Sequence, residues 1–261
     1  MDLGIKNKVA LVTGGGGGLG GAIATSLAKE GARVIVADID LEAAQGITKQ
    51  LTNQGLDAMP IKWDLFDIEG IEGYLEEVTG HWGGVDILIN NTGGPRPSLV
   101  ENVPVEEWRA YFDSMVVSII KLTDAVLPYM RELGWGRIIT STSSGVIAPI
   151  PNLGLSNALR GTLLGWSKTL SQEVAGYGIT ANVILPGRIA TQRIRALDKA
   201  KAERENRSIE EVGKESVNSI PVGRYGEPHE YGGVVAFLAS QQASYITGSV
   251  IRVDGGLIKS I

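Results

Sequence analysis

TGGGGGLG, residues 13–20, follows the apolar run KVALV and precedes a segment with a helical pattern over residues 20–30. The glycines therefore lie at a strand-to-helix turn, with the helix starting near Gly18. Glycine lets a backbone approach a diphosphate closely, and the free N–H groups and positive dipole end of the helix attract the anion. This context predicts a dinucleotide-binding loop, while the simpler alternative for a glycine run is a flexible turn.

Short apolar runs rich in valine and isoleucine alternate with helical segments along the chain. This alternation predicts an α/β fold, a single-domain Rossmann-type doubly wound parallel sheet of about seven strands with helices on both faces. We expect the domain to span residues 1–261, with polar residues 191–219 forming an exposed helical lid. The predicted strands are residues 9–13, 33–38, 57–61, 85–90, 137–142, 180–185 and 249–253. The predicted helices include residues 20–30, 41–54 and 105–133.

The composition argues against several classes of partner and cofactor. A formal net charge of -5 without a basic stripe argues against binding to nucleic acid. There is no cysteine, and His81 and His229 are isolated, so we predict no metal site. Because the sequence shows neither a signal-type segment nor a run of roughly 18 apolar residues, we expect a cytoplasmic protein outside the membrane.

The predicted second strand ends at Asp38, about 20 residues after the glycine loop. A carboxylate there accepts hydrogen bonds from the adenosine ribose hydroxyls and repels a 2′-phosphate, and the loop residues Gly15, Gly16 and Gly17 supply no cation to offset that repulsion. The sequence thus favours NAD(H) over NADP(H). Asp38 and Asp40 also precede a helix, so a helix N-cap is the alternative role, and the two roles are compatible.

Further motifs follow the predicted strands: KWDL with Asp64, NNTG at residues 90–93, PGRIAT at residues 186–191 and TGSVIRVDGG ending at Gly256. With them the chain resembles the short-chain dehydrogenases/reductases over nearly its full length, and among these the members similar to 3-oxoacyl-acyl-carrier-protein reductases. The resemblance implies a homotetramer. It also implies that the cofactor is bound by Gly14, Gly18, Leu19, Gly20, Asp38, Asp64, Leu65, Asn91, Gly93, Pro186, Ile189 and Thr191.

The family's catalytic positions are mostly changed in this sequence. Aligned without gaps, the resemblance places the family's serine, tyrosine, lysine and helix asparagine on Ser143, Ser156, Arg160 and Met115, so that the family's YxxxK motif is SNALR here. A shifted alignment selects Leu153 and Asn157, but it requires a three-residue deletion and also lacks a tyrosine/lysine pair.

These changes alter the expected chemistry. A tyrosine works as the acid because a nearby cation lowers its hydroxyl pKa from about 10, whereas a serine hydroxyl starts much higher. Arg160 keeps a permanent charge but cannot relay protons, and Met115 cannot hold a relay water. Losing general acid catalysis slows a reaction by roughly 10²- to 10⁴-fold without preventing it. These residues also have purely structural interpretations. Ser143 could be a hydroxyl at a strand end that bonds to the backbone, and Ser156 and Arg160 could be ordinary helix residues.

Two functions therefore stay open. The first is a short-chain oxidoreductase that transfers a hydride between NAD(H) and a small carbonyl or alcohol, with Ser143, Ser156 and Arg160 stabilising the substrate oxygen. The second is a catalytically weak or inactive NAD(H)-binding sensor or assembly protein.

Four arginines near the expected cleft suggest an anionic substrate, and the alternative is a lid that exchanges salt bridges with Glu203, Glu205 and Glu210. These arginines are Arg96, Arg188, Arg193 and Arg195. Trp166 and Leu170 follow SNALR on a predicted helix, where the family builds a subunit interface and where the alternative is intramolecular core.

Overall fold

The structure is a computed structural model, and it describes residues 2–261. Seven parallel strands form one sheet in the order β3-β2-β1-β4-β5-β6-β7. The strands are β1 (Val9–Thr13), β2 (Arg33–Asp38), β3 (Ala58–Lys62), β4 (Ile87–Asn91), β5 (Gly136–Ser141), β6 (Ile179–Pro186) and β7 (Val250–Val253). The strand order reverses between β1 and β4, which opens a crevice beyond the carboxyl ends of these strands.

Nine α-helices connect the strands within residues 2–261. They are α1 (Gly18–Lys29), α2 (Leu41–Thr52), α3 (Ile71–Trp82), α4 (Val105–Phe112), α5 (Ser118–Leu133), α6 (Gly154–Val174), α7 (Gln192–Glu205), α8 (Ile209–Asn218) and α9 (Pro228–Leu238). A π-helical segment, Asp113–Val117, joins α4 to α5, and short 3-10 turns lie at Ser144–Val146 and Ala175–Tyr177.

The central strands are buried on both faces, as the near-continuous apolar runs require. Along β1, Ala10 and Val12 pack with residues of α1 and α9, whereas Val9 and Leu11 pack with residues of α3, α5 and α6. The sheet therefore separates two hydrophobic cores, one on each face. The predicted fold is confirmed: one α/β domain with seven parallel strands covered by helices on both faces.

Two predicted segments differ in detail from the structure. The helix expected over residues 105–133 is divided by the π-helical turn Asp113–Val117, in which Met115 and Val116 are buried. The predicted lid forms helices α7 and α8, and most of its residues are exposed. The two helices pack together and bury Ala202 and Val212.

The part of the chain that the structure describes contains no helix long and apolar enough to cross a membrane. Among the same residues, no group of three or more histidine, aspartate or glutamate side chains is placed to hold a metal ion.

Candidate active site

The turn between β1 and α1 has a backbone that requires glycine. Gly14 and Gly18 adopt φ of +56° and +54°, in the left-handed region. A Cβ on Gly20 would overlap the carbonyl oxygen of Gly14, and a Cβ on Gly14 would lie 2.8 Å from Asn91 Nδ2. No side chain caps α1, so its first N–H groups are left for an anion or for water. These features fit the diphosphate of a dinucleotide.

The end of β4 holds this turn in place. Asn91 Nδ2 donates to the carbonyl oxygens of Thr13 and Gly14, each at 3.2 Å. Thr13 Oγ1 donates to Asn91 O at 2.8 Å and accepts from Asn91 N at 3.0 Å. The Asn91 side chain therefore shapes the turn through the backbone of β1.

Asp38 lies against the glycine turn. Its Oδ2 accepts from Gly16 N at 2.8 Å, and its Oδ1 accepts from Asp40 N at 3.0 Å. The N-cap of α2 is Asp40, whose Oδ1 accepts from Ala43 N at 3.1 Å, so Asp38 does not cap the helix. Each Asp38 oxygen keeps a lone pair for a ligand hydroxyl. Among residues 2–261 no lysine or arginine nitrogen lies within 4.0 Å of this carboxylate.

Apart from Leu19, which lies in α1, the other residues predicted to bind the cofactor lie at or after strand ends on the same edge of the sheet. These residues are Asp64, Leu65, Gly93, Pro186, Ile189 and Thr191. Thr191 caps α7 by accepting from Ile194 N at 3.3 Å. Its side chain also lies 3.9 Å from the position of a Cβ on Gly18, so the start of α7 is close to the glycine turn. Their contacts with a cofactor remain predictions.

Arg160 is the centre of a polar cluster at the ends of β4 and β5. Its Nε donates to Ser156 Oγ at 3.3 Å, and its Nη2 donates to the carbonyl oxygens of Thr92 and Gly93 at 3.1 and 2.7 Å. Its Nη1 donates to Ser141 O at 3.4 Å. The guanidinium therefore ties α6 to both strand ends and holds Ser156 beside them.

The charge of Arg160 has no anionic partner in the described chain. The residue is 8% exposed, and no carboxylate among residues 2–261 lies within 4.0 Å of its nitrogens. The pKa of Arg160 is lowered to about 10, mainly by burial and also by the charge of the nearby Arg193, while Tyr231 acts in the opposite direction. The guanidinium therefore stays charged near neutral pH. A buried cation held only by dipoles attracts an anion or a developing negative charge.

Ser143 and Met115 have different surroundings. Ser143 Oγ accepts from Gly145 N at 3.1 Å and caps the 3-10 turn Ser144–Val146. Because that bond uses a lone pair, the Ser143 hydroxyl remains able to donate to a ligand. Met115 is 2% exposed and packs with Ile119 and Leu159 in an apolar cluster. It presents no oxygen or nitrogen to the site. Asn157, which the shifted alignment selects, donates Nδ2 to Ile150 O at 2.9 Å.

Tyr231 is a member of the cluster that the sequence did not reveal. Its hydroxyl lies 2.8 Å from Ser141 Oγ and donates to Ile184 O at 3.4 Å. The residue is fully buried, and burial raises the pKa of Tyr231 above its ordinary value, against the lowering effects of Ser141 and Arg160. Tyr231 is thus a neutral phenol beneath Arg160. The only signal in the sequence was a tyrosine directly before the apolar stretch GGVVAFL of α9.

Residues 15–258 match the family model described as Enoyl-(Acyl carrier protein) reductase. The 3-oxoacyl-acyl-carrier-protein reductase FabG of Escherichia coli is 38% identical over 254 residues, which cover 97% of this chain and 98% of that protein. Nodulation protein G of Azospirillum brasilense is 34% identical over 255 residues, 97% of this chain and 99% of that protein. The chain belongs to the short-chain dehydrogenase/reductase family.

Solved structures agree with this assignment. L-sorbose reductase from Gluconobacter frateurii, complexed with NADPH and L-sorbose, superposes with a TM-score of 0.94 at 30% identity, covering 100% of both chains. YwfH, an NADPH dependent reductase involved in bacilysin biosynthesis, gives a TM-score of 0.93 at 28% identity over 98% of this chain and 100% of that one. The chain therefore belongs to a family of oxidoreductases and has the family's nucleotide-binding fold.

Two of the four arginines near the cleft, Arg188 and Arg193, have partners in the protein. Arg188 Nη1 pairs with Asp198 Oδ1 at 2.7 Å, and Tyr225 donates to Asp198 Oδ2 at 2.6 Å. Arg193 Nη2 donates to Pro95 O at 2.7 Å. The charge of Arg188 is thus neutralised by Asp198, which makes it a weaker candidate than Arg193 for binding an anionic substrate.

The alternative interpretation was that these arginines form salt bridges with lid glutamates, and the structure places no such bridge among residues 2–261. Glu203 pairs with Lys199, and Glu205 pairs with Arg204 and Arg207. Lys199 and Arg204 lie in the second half of α7 and Arg207 lies just after it, close in sequence to these glutamates, whereas Arg193 and Arg195 lie at the start of the helix.

Leu170 is 6% exposed and lies in the core beneath the sheet, so burial of this residue needs no second subunit. Trp166 is half-buried and packs against the same core.

Proposed function

We propose that this chain is an NAD(H)-dependent oxidoreductase that interconverts a small carbonyl compound and its alcohol, with Ser143, Ser156 and Arg160 acting in place of the family's usual acid/base residues. The observation that carries the proposal is the buried guanidinium of Arg160, which has no carboxylate partner and holds Ser156 at the end of the cleft. A bound nicotinamide would supply or accept the hydride.

The protein's own groups would stabilise charge on the substrate oxygen. Reduction of a carbonyl places negative charge on that oxygen, and Arg160 provides a fixed positive charge in surroundings from which water is largely excluded. The hydroxyls of Ser143 and Ser156 donate hydrogen bonds to the same oxygen. Met115 lies in an apolar cluster and Tyr231 is buried, so neither is placed to deliver the proton that the substrate oxygen takes up. We therefore assign the source of that proton to solvent water.

The preference for NAD(H) over NADP(H) rests on Asp38. Its carboxylate lies beside the glycine turn and has no cation within 4.0 Å among residues 2–261, so a 2′-phosphate there would meet a negative charge. YwfH and L-sorbose reductase are described with NADPH, so the preference distinguishes this chain from those relatives. Calorimetric titration should give a lower Kd for NADH than for NADPH. The reverse order would contradict the proposal.

A second candidate function is a noncatalytic NAD(H)-binding sensor or assembly protein. The observation in its favour is that four donor contacts of Arg160 are already made to Thr92, Gly93, Ser141 and Ser156. In this case the guanidinium would be a clamp between α6 and the sheet.

Three further assignments accompany the proposal. Residues 1–261 would act as one nucleotide-binding domain, with residues 191–219 closing over the substrate as a lid. The chain would assemble as a homotetramer and work in the cytoplasm. These assignments rest on the sequence and on the family.

Turnover assays would separate the two functions. Purified protein is incubated with NADH and a panel of aldehydes, ketones and oxo acids, and the loss of NADH absorbance is compared with that of the Ser156→Ala, Arg160→Ala variant. Turnover that the variant abolishes supports the oxidoreductase. Equal background in both, with tight NADH binding, supports the sensor. A gain of activity in Ser156→Tyr, Arg160→Lys would show that the remaining cleft is competent.

A further inference from the structure

Three polar groups converge beside Gly94, in the loop after β4. The position that a Cβ on Gly94 would take lies 3.3 Å from Arg160 Nη2, 3.6 Å from Arg193 Nη2 and 4.0 Å from Ser156 Oγ. Arg160 and Ser156 come from α6, whereas Arg193 comes from the first turn of α7. The lid thus adds a second guanidinium to the cluster proposed to hold the reacting oxygen.

The two guanidinium groups lie close together without a neutralising partner. Among residues 2–261, no carboxylate lies within 4.0 Å of either one. The two charges repel each other, and the charge of Arg193 lowers the pKa of Arg160. Two neighbouring cations without an anion are unfavourable unless a ligand supplies the missing charge.

Arg193 also has donors to spare. An arginine has five N–H donors. In the structure Arg193 uses one of them, donating from Nη2 to Pro95 O at 2.7 Å. The residue is exposed, and its Nη2 lies beside Gly94 with Arg160 and Ser156. Four other cations of the lid are paired with glutamates; these are Lys199, Lys201, Arg204 and Arg207.

We propose that Arg193 binds the carboxylate of the substrate and that the substrate is a short 2-oxo acid or the corresponding 2-hydroxy acid. This inference rests on the proposed function, because it places the reacting oxygen at Ser156 and Arg160. A guanidinium fork matches a carboxylate with two parallel hydrogen bonds. Because both cations lie within 4 Å of one point, they fit a molecule whose carboxylate is next to its reacting carbon.

The reaction balances with the groups named. In the reductive direction a C–H bond forms at the oxo carbon with the hydride that the dinucleotide gives up, and the π pair of the carbonyl moves to its oxygen. Water supplies the proton to that oxygen. The 2-oxo acid is reduced to the 2-hydroxy acid, and the dinucleotide is oxidised. The carboxylate stays unchanged on Arg193 throughout.

The test is the binding of oxamate, an unreactive analogue of a 2-oxo acid, to protein saturated with NADH or NADPH. We expect Arg193→Gln to raise the Kd of oxamate about 10- to 100-fold and to leave the Kd of the dinucleotide unchanged. Arg193→Lys, which keeps the charge but not the fork, should give an intermediate Kd. Arg204→Gln removes an arginine from the far end of the same helix and should change neither constant.

Several results would overturn the assignment. They are failure of oxamate to bind, equal weakening of oxamate binding by Arg193→Gln and Arg204→Gln, and a loss of dinucleotide binding in Arg193→Gln, which would assign this residue to the cofactor.

In turnover assays, 2-oxo acids should exceed their methyl esters in kcat/KM, and Arg193→Gln should remove the difference. Equal turnover of acids and esters would reject this inference and retain the proposed function. Oxamate binding without turnover of any carbonyl would retain the anion site and reject the proposed function.

Discussion

The glycine turn between β1 and α1 and the polar cluster around Arg160 lie at the same edge of the sheet, but they are built differently. The turn is formed by backbone groups, and a side chain on Gly20 would overlap the backbone of Gly14. The cluster is formed by side chains from α6 and α7 that contact carbonyl oxygens at the strand ends.

This difference determines how each region tolerates change. The turn accepts no side chain where its backbone is in close contact, as at Gly20, because an added atom there would displace the chain itself. A cluster of side chains can be replaced group by group while the backbone beneath it stays in place. The chemistry at one end of the cleft can therefore vary while dinucleotide binding at the other end is kept.

The largest expected effect is at the turn. Gly20→Val should abolish measurable binding of NADH and NADPH in calorimetry, because the new side chain would displace Gly14. Gly17→Ala is the matched control: its backbone is extended, with φ of 173°, and a Cβ there meets nothing within 4 Å. Wild-type binding by Gly20→Val would show that the dinucleotide binds elsewhere.

At the opposite end, Arg160→Met should lower kcat/KM by about 10²- to 10³-fold, because it removes the cation proposed to stabilise the substrate oxygen. The Kd of the dinucleotide should change much less. Thermal unfolding checks that the variant is folded, since the carbonyls of Thr92 and Gly93 lose a donor. Arg204→Met, on the exposed lid, serves as control. Unchanged kcat/KM would leave Arg160 with a structural role only.

A smaller effect is expected at Asp38. Asp38→Asn removes the charge but keeps an acceptor for the backbone, so the ratio of Kd for NADPH to Kd for NADH should fall about tenfold. Asp40→Asn makes the same change in charge two residues further on. Since asparagine caps a helix as well as aspartate does, this control should leave the ratio unaltered. An equal shift in both variants would contradict a local role for Asp38.

The smallest effect concerns pH. Because the pKa of Arg160 is about 10, the wild-type kcat/KM should be flat from about pH 6 to about pH 9 and fall as pH approaches that pKa. In Arg160→Lys, burial lowers the pKa of the ammonium below its ordinary value, so the charge is lost earlier as pH rises. The decline should therefore begin at lower pH. Superimposable profiles would mean that residue 160 does not set the pH dependence.

Much of the fold could be predicted because strand signals are local. The bounds predicted for β1 and β2 agree with the structure, since each is a buried apolar run next to glycine or aspartate. The strand predicted over residues 85–90 instead occupies Ile87–Asn91. The Asp86 carboxylate accepts from Val9 N at 2.8 Å, a contact between distant residues that no pattern of hydrophobicity reports.

The site was less predictable, because its geometry depends on contacts between distant segments. The resemblance to a family selected Ser143, Ser156 and Arg160, but not their bonding. Asp198 was unforeseen, since in the sequence it is one charge among many on a polar helix. In the structure it is 5% exposed and bound by Arg188 and Tyr225.

The central claim is that the glycine turn and the N-terminus of α1 bind the diphosphate of a nicotinamide dinucleotide. Isothermal titration of the folded protein with NADH, and separately with NADPH, tests it most directly. We expect saturable binding at one site per chain, tighter for NADH. If neither dinucleotide binds to protein that is well folded by thermal unfolding, the claim is contradicted, and both proposed functions fail with it.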